Sequence, residues 1–232
     1  MIELFPAGFE ELEHTDAIEL VAYTDAGGEE RLWAAFGEIR SEEVPADWEE
    51  RWREFHRPVR VGRLWIGPPW EEAPAGVDAI VIDPGRAFGT GGHATTRLCL
   101  QLLSELARGS LVDVGCGSGV LAIAAARLGF APVLAVDHDS AALDATARNA
   151  SANGVELELR RADALVEPLP AADVAVANIA LEAVEQLGLL LESPVVVTSG
   201  YLEQDDPVLV GFRREDRQTA GGWAADLFRR EE

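Results

Sequence analysis

The stretch Leu111-Val-Asp-Val-Gly-Cys-Gly-Ser-Gly-Val-Leu-Ala-Ile-Ala-Ala-Ala126 decides how the rest of this chain is read. Leu111, Val112 and Val114 favour a strand, and Val120 to Leu128 is an apolar run of helix formers, so the order is strand, turn, helix. Gly115, Gly117 and Gly119 alternate through the turn, where a missing side chain lets backbone N–H groups approach a ligand. Asp137 closes the next apolar run, Val133-Leu-Ala-Val-Asp137. Nucleotide-binding folds place a carboxylate there, roughly 20 residues past the glycines, against a pair of ribose hydroxyls.

The variant of the glycine pattern narrows the ligand. A dinucleotide fold packs a third glycine where this chain has Val120, which speaks against a nicotinamide-dependent oxidoreductase. Asp113, one residue before the turn, opposes a pyrophosphate and suits a ligand bearing an amine, such as the amino-acid end of S-adenosylmethionine. A tight turn that binds nothing is the competing reading of the motif taken alone.

Bulk properties set the outer bounds. A chain of 232 residues holds one full domain plus a small appendage. Its longest apolar runs fall short of a membrane span, and the first residues carry no basic, apolar export signal, so the cytoplasm is the expected location. Cys99 and Cys116 make neither a disulfide framework nor a metal-ligand spacing, and no metal is expected. There are 41 acids against 19 bases, every base is arginine, and the net charge is −22. The lack of lysine removes Schiff-base and Walker-type chemistry. So negative a surface repels phosphate backbones, which speaks against nonspecific nucleic-acid binding, so no direct nucleic-acid binding is expected, and it attracts a basic protein; solubility accounts for the charge equally well.

In chain order, residues 1–45 form a small α+β piece. A strand is expected over 16–24, a turn at Asp25-Ala-Gly-Gly28 and a returning strand over 31–36. Residues 46–76 are expected to link domains. Within them lies an amphipathic helix over 46–57, with Trp48, Trp52 and Phe55 on one face, followed by a strand over 59–66. Residues 77–232 carry the main domain. A short strand over 79–84 leads into the glycine-rich loop 85–96, where Thr95 and Thr96 are natural caps for a helix starting at Arg97. His93 is an ordinary loop histidine or a site residue with equal claim.

Strands and helices then alternate. Strands are expected at 133–137, 157–160, 173–179 and 194–199. Helices are expected over 140–149, with Ser140 as cap, and over 181–191. This alternation argues a mostly parallel sheet covered on both faces, with ligands at the carboxyl ends of its strands. Gly115, Asp137, Asp163 and Asn178 all fall at such ends. A helix interrupted near Pro207 is expected over 201–212, and a closing hairpin over 217–229 around Gly221-Gly222.

Several motifs together carry a resemblance. FGTGGHATT (88–96), DVGCGSGVLAIAA (113–125), AVDHD (135–139), ANIAL (177–181) and SGYLEQ (199–204) resemble the bacterial ribosomal protein L-11 methyltransferases. WEERWREFHRPV (48–59) and LWIGPPW (64–70) fit the same pattern in the same order. The resemblance implies an α/β fold: a Rossmann-like class I methyltransferase domain with a seven-stranded, mostly parallel sheet, behind a small α+β recognition domain.

It also implies S-adenosyl-L-methionine as cofactor and a basic ribosomal protein as substrate, methylated at lysine side chains or the N-terminal amine by a monomeric enzyme. Thr96, Gly115 and Gly117 would lie along the methionine part of the cofactor, and Asp137 would take the ribose hydroxyls. Asn178 would lie beside the transferring methyl and the acceptor amine as the catalytic residue. Phe88 and His93 would lie close by, and Asp163 would meet the adenine amine. Two departures stand out. The family's further strand and helix ahead of the segment matching 8–24 are absent, so substrate recognition is expected to be altered or completed by a partner. The strand-end motif reads Asn178-Ile-Ala-Leu181 where the family has asparagine-isoleucine-leucine-alanine. Another protein or a small amine as acceptor, and a catalytically silent cofactor-binding module, stay open as alternatives.

Overall fold

The computed structural model describes residues 10–14, 17–21, 26–37, 39–41, 57–83 and 92–231. The chain divides into two compact units, residues 1–51 and 52–232. In the first, β1 (Glu10–His14) and β2 (Ala17–Val21) pair antiparallel, with His14 opposite Ala17. α1 (Ala26–Phe36) follows. The strand expected over 31–36 is therefore helix. Glu29, Glu30, Arg31, Leu32, Ala34 and Ala35 are all good helix formers, and the glycines taken for a hairpin turn occupy the helix's first turn. The helix expected over 46–57 lies outside the described residues.

The second unit opens with a small sheet of β3 (Val59–Val61), β4 (Leu64–Gly67) and β5 (Asp78–Val81). β3 and β4 are antiparallel, with Val61 opposite Leu64, so the single strand expected over 59–66 is a hairpin. The Gly62-Arg63 pair makes its turn, with Gly62 at φ 56°. β5 runs parallel to β4.

The main sheet then forms from alternating elements: α2 (Ala94–Glu105), β6 (Leu111–Val114), α3 (Val120–Leu128), β7 (Val133–Asp137), α4 (Ser140–Ala152), β8 (Glu158–Arg161), β9 (Val174–Asn178), α5 (Leu181–Leu187), β10 (Val195–Leu202), β11 (Phe212–Ala220) and β12 (Trp223–Arg230). Its strand order is β11-β12-β10-β9-β6-β7-β8. β10, β9, β6, β7 and β8 run parallel to one another, and only β12, between β10 and β11, runs antiparallel to both. This is the mostly parallel sheet that the alternation of elements implies, with the seven strands that the family resemblance implies.

Pleating sends successive side chains to opposite faces. Leu111, Val174, Val176, Val195 and Val197 pack with Leu98, Leu102, Leu103 and Ile123 of α2 and α3. Val112, Val114, Ala175, Ala177 and Val196 pack with Val184, Leu187 and Leu191 on the other side. Helical side chains thus cover both faces. The order turns back on itself between β6 and β9, which opens a crevice at the carboxyl ends of these two strands.

Near the end of the chain, the helix expected over 201–212 does not form. β10 continues through a bulge at Ser199/Tyr201 to Leu202, because β12 offers it a hydrogen-bonding edge. The Leu202 N–H then donates to Asp205 Oδ2 in a turn, and Pro207 has no N–H to give a helical ladder. The closing hairpin is longer than expected, 212–230 rather than 217–229. The expected caps at Thr95, Thr96 and Ser140 also move: His93 caps α2 and Asp139 caps α4. α5 ends at Leu187, short of the expected 191.

Two asparagines, one turn apart on α4, continue the small sheet with side chains in place of a strand. Asn153 Oδ1 accepts the Val81 N–H at 2.8 Å, and its Nδ2 donates to Val81 O at 2.7 Å. Asn149 Oδ1 accepts the Asp83 N–H at 3.0 Å, while its Nδ2 donates to Ser118 O at 2.9 Å. The end of β5 is thereby tied to the glycine turn. Because Asn153 is buried, truncating it strands two main-chain groups in a dry setting. Asn153→Ala is expected to lower stability by about 2–4 kcal/mol. A urea midpoint unchanged from the wild type would show that these bonds contribute nothing.

Candidate functional site

The site grows from the turn after β6. Gly115, Gly117 and Gly119 adopt φ of 72°, 55° and 82°, a region side chains rarely enter. The N–H groups of Gly115 and Cys116 both donate to Val136 O, at 2.9 and 3.0 Å, which holds the turn against the end of β7. A Cβ on Gly115 would sit 2.6 Å from Ile179 Cγ2. One on Gly200, at φ 107°, would sit 2.1 Å from the Ile179 carbonyl oxygen. The ends of β6, β9 and β10 therefore approach as closely as backbone allows.

Asp137 clasps this turn. Its Oδ2 accepts the Gly117 N–H at 3.1 Å and its Oδ1 accepts the Asp139 N–H at 3.0 Å. The carboxylate is largely buried, and His138 Nδ1 lies 3.5 Å from Oδ1. A carboxylate offers about four lone-pair sites, so two backbone bonds leave acceptor capacity for hydroxyl groups.

Asp113 does something the sequence did not suggest. Gly119, the N-cap of α3, has no side chain with which to cap it. Asp113 reaches up from β6 and its Oδ2 accepts the Ala122 N–H at 3.0 Å. It is 1% exposed. Burial pushes its carboxyl up to about 7, opposed by the Ala122 hydrogen bond and reinforced by the charge on Asp137.

Across the crevice, Asn178 ends β9 and His93 caps α2. Asn178 Nδ2 donates to Thr95 Oγ1 at 3.1 Å, and Thr95 Oγ1 lies 2.8 Å from His93 Nδ1. His93 stands edge-to-face with Trp223 of β12, ring centroids 4.7 Å apart. Burial, followed by the positive charge of Arg97, holds the His93 imidazole below its ordinary value. Thr96 is buried beside Thr95 on α2. Asp163 lies past the end of β8, exposed, where its Oδ1 accepts the Leu165 N–H at 3.0 Å and its own N–H donates to Glu167. The preceding Ala162 N–H donates to Asp137 O, so Asp163 follows directly on the Asp137 strand end. Phe88 lies outside the described residues.

Of the residues singled out from sequence, Gly115, Gly117 and Asp137 are thus bonded into one cluster, and His93 and Asn178 into a second through Thr95. Thr95 had been assigned only a capping role, and its hydroxyl emerges as the link. A pair of adjacent threonines does not tell which one faces a site. Trp223 carried no signal, since nothing local brings β12 to α2. Burial pushes the Cys116 thiol up to about 12, which leaves it unreactive at neutral pH. Among the described residues, no cluster of histidine, cysteine and carboxylate side chains forms a metal site.

The family model of ribosomal protein L11 methyltransferase (PrmA) matches residues 8–228. The chain belongs to that family. A ribosomal protein L11 methyltransferase of Pelotomaculum thermopropionicum is 41% identical over 197 residues, covering 77% of this chain and 64% of the relative. One from Heliobacterium modesticaldum is 40% identical over 235 residues, covering 87% and 74%. The chain thus spans about two thirds to three quarters of these relatives' length. The crystal structure of a ribosomal protein L11 methylase from Lactobacillus delbrueckii subsp. bulgaricus superimposes with a TM-score of 0.67 at 31% identity, over 76% of this chain and all of that one. The class I methyltransferase fold is shared with it.

The buried Asp113 generates a prediction with a definite sign. In the unfolded chain it ionises near 3.9, and in the fold near 7. Between those values the folded state holds a proton the unfolded state has lost, so stability falls as pH rises through this window and stays lower above it. Asp113→Asn keeps an oxygen acceptor for Ala122 without the charge. In the ligand-free protein it is expected to raise Tm by roughly 3–8 °C at pH 8 and by much less at pH 5. Equal shifts at the two pH values would refute the assignment.

Proposed function

We propose that this chain is an S-adenosylmethionine-dependent protein N-methyltransferase that modifies amino groups, on lysine side chains or the N-terminus, of ribosomal protein L11. The observation that carries this reading is Asn178 at the crest of the sheet. Its amide nitrogen is committed to Thr95, which leaves its carbonyl oxygen for an acceptor amine. The names of the related proteins supply the substrate. The net charge of −22 suits a basic protein, and the enzyme is read as a monomer that binds no nucleic acid directly. Among the described residues no helix is long and apolar enough to cross a membrane, in keeping with a cytoplasmic role.

The residues fit the cofactor. Asp137 has acceptor capacity for a ribose hydroxyl pair, and the glycine turn has no side chains to obstruct the amino-acid end. Gly115, Gly117 and Thr96 are assigned to the methionine part and Asp163 to the adenine amine, with Phe88 and His93 nearby. When bound, S-adenosylmethionine supplies a methyl activated by its sulfonium. The protein's task is then positioning, which can be worth about 7–11 kcal/mol of barrier.

A free lysine amine has a pKa of about 10.4, and only its neutral form is a nucleophile. The Asn178 carbonyl accepts an N–H of that neutral amine and so aims the nitrogen lone pair. No general base is required if the proton passes to water beforehand. Asp137→Ala is expected to weaken cofactor binding by roughly tenfold to a hundredfold. Asn178→Ala is expected to lower the single-turnover rate with little change in cofactor affinity. Calorimetry and rapid-quench kinetics separate the two, and equal effects from both changes would count against this division of roles.

The substrate is tested by incubating the protein with radiolabelled S-adenosylmethionine and a ribosomal extract. The label is expected on L11. Label on a different protein or on a small amine would move the reading to another acceptor, and cofactor bound with no labelled product would mark a silent module.

A further inference from the structure

The contacts between His93, Thr95 and Asn178 have a direction, because the groups at both ends can only donate. The Thr95 backbone N–H lies 3.4 Å from His93 Nδ1, and as a donor it requires a lone pair on that nitrogen. The Asn178 amide nitrogen donates to Thr95 Oγ1. The Thr95 hydroxyl proton is thereby left to point at His93 Nδ1, 2.8 Å away. Nδ1 receives two hydrogen bonds, so the imidazole is neutral and carries its proton on Nε2.

We propose that His93 is a positioning residue of the methyl-transfer site: by taking the Thr95 hydroxyl proton at Nδ1 it holds the Asn178 amide with its oxygen outward, and a proton on Nδ1 turns that amide over. This rests on the methyltransferase reading. A proton on Nδ1 would confront the Thr95 N–H donor and reverse the hydroxyl. The freed hydroxyl proton then seeks an acceptor, and the nearest amide can supply one by presenting Oδ1 to Thr95. Its NH2 group would now face the acceptor amine, donor against donor, and the lone pair would lose its aim.

The surroundings favour the neutral ring. Arg97, one turn along α2, places a positive charge near it, and Trp223 of β12 stands edge-to-face against one side of a residue that is otherwise exposed. From β9 it meets Asn178 through Thr95, and neither that amide nor the indole titrates. Among the described residues, burial and Arg97 are the influences on the ring, and both disfavour its charged form. The proton-driven reversal therefore belongs on the acid side of the ordinary imidazole range.

The pH profile separates this role from simple helix capping. Deprotonation of the acceptor amine alone makes log(kcat/KM) rise with slope 1, a factor of about ten per pH unit. With His93 coupled in, the acid limb steepens to slope 2 below the His93 pKa, about a hundredfold per pH unit. His93→Asn retains a preferred N-cap without a titrating ring, so its profile should keep slope 1 throughout, whatever its height. Thr95→Ser should keep the steep limb and Thr95→Val should lose it. Slope 1 across the whole wild-type profile, or a steep limb that survives in His93→Asn, would overturn the proposal.

A second readout needs no turnover. The chain has four histidines, and two-bond proton–nitrogen correlation on protein labelled at histidine nitrogen reports the tautomer of each, His93 being assigned by its loss in His93→Asn. An unprotonated Nδ1 at pH 7.5 is expected. A proton on Nδ1 there overturns the relay in an active or an inactive protein. The expected tautomer in a wild type that transfers no methyl group supports the relay and sinks the enzymatic reading instead.

Discussion

The carboxyl edge of β7 is the constraint on which the site depends. Val136 offers one carbonyl to two consecutive N–H groups of the glycine turn, and Asp137 adds a carboxylate to a third. Without these bonds the turn would leave a run of main-chain donors unpaired beside a packed core, an expensive arrangement for any buried backbone. With them, three glycines at positive φ become a rigid ledge. The same carboxylate that stiffens the ledge keeps lone pairs in hand, the capacity on which the proposed ribose contact draws.

Other buried polar groups act the same way, each fixing a main-chain segment that has no strand or helix of its own to lean on. Asp113 supplies the cap that Gly119 lacks, and Asn149 and Asn153 stand in for a strand beside β5. Asp226, fully buried on β12, takes the Tyr201 hydroxyl at 2.9 Å and Arg217 at 3.3 Å. Arg217 in turn bonds the carbonyls of Glu203 and Asp205. The terminal hairpin is thus bolted to β10, and with it Trp223 is carried to His93. Paired buried charges of this kind fix geometry more than they add stability.

The resulting division of labour is physical. The half of the sheet around β6 and β7 presents acceptors and bare backbone, suited to a polar nucleoside. The half around β9 and α2 presents the hydrogen-bonded chain of His93, Thr95 and Asn178, which the proposed function gives to the acceptor amine.

Sequence by itself determined the elements whose signals are local. Alternating apolar strands and helices dictated a parallel sheet, because such segments can bury their backbone only that way, and Gly115, Asp137 and Asn178 fell at strand ends by counting along the chain. It misjudged segments where propensity and context disagree. Residues 31–36 follow a glycine turn signal and so read as a returning strand, but most of 29–35 are helix formers, and 201–212 resembles a helix until the edge of β12 claims its first residues. What only the tertiary structure decided are the contacts between residues distant in the chain. Thr95 meets Asn178, Trp223 meets His93, and Asp113 turns into α3 rather than toward the crevice. Hydrogen bonds across such separations are set by how the sheet brings strands together, and no local pattern of residue types encodes which of two neighbouring side chains will face the gap.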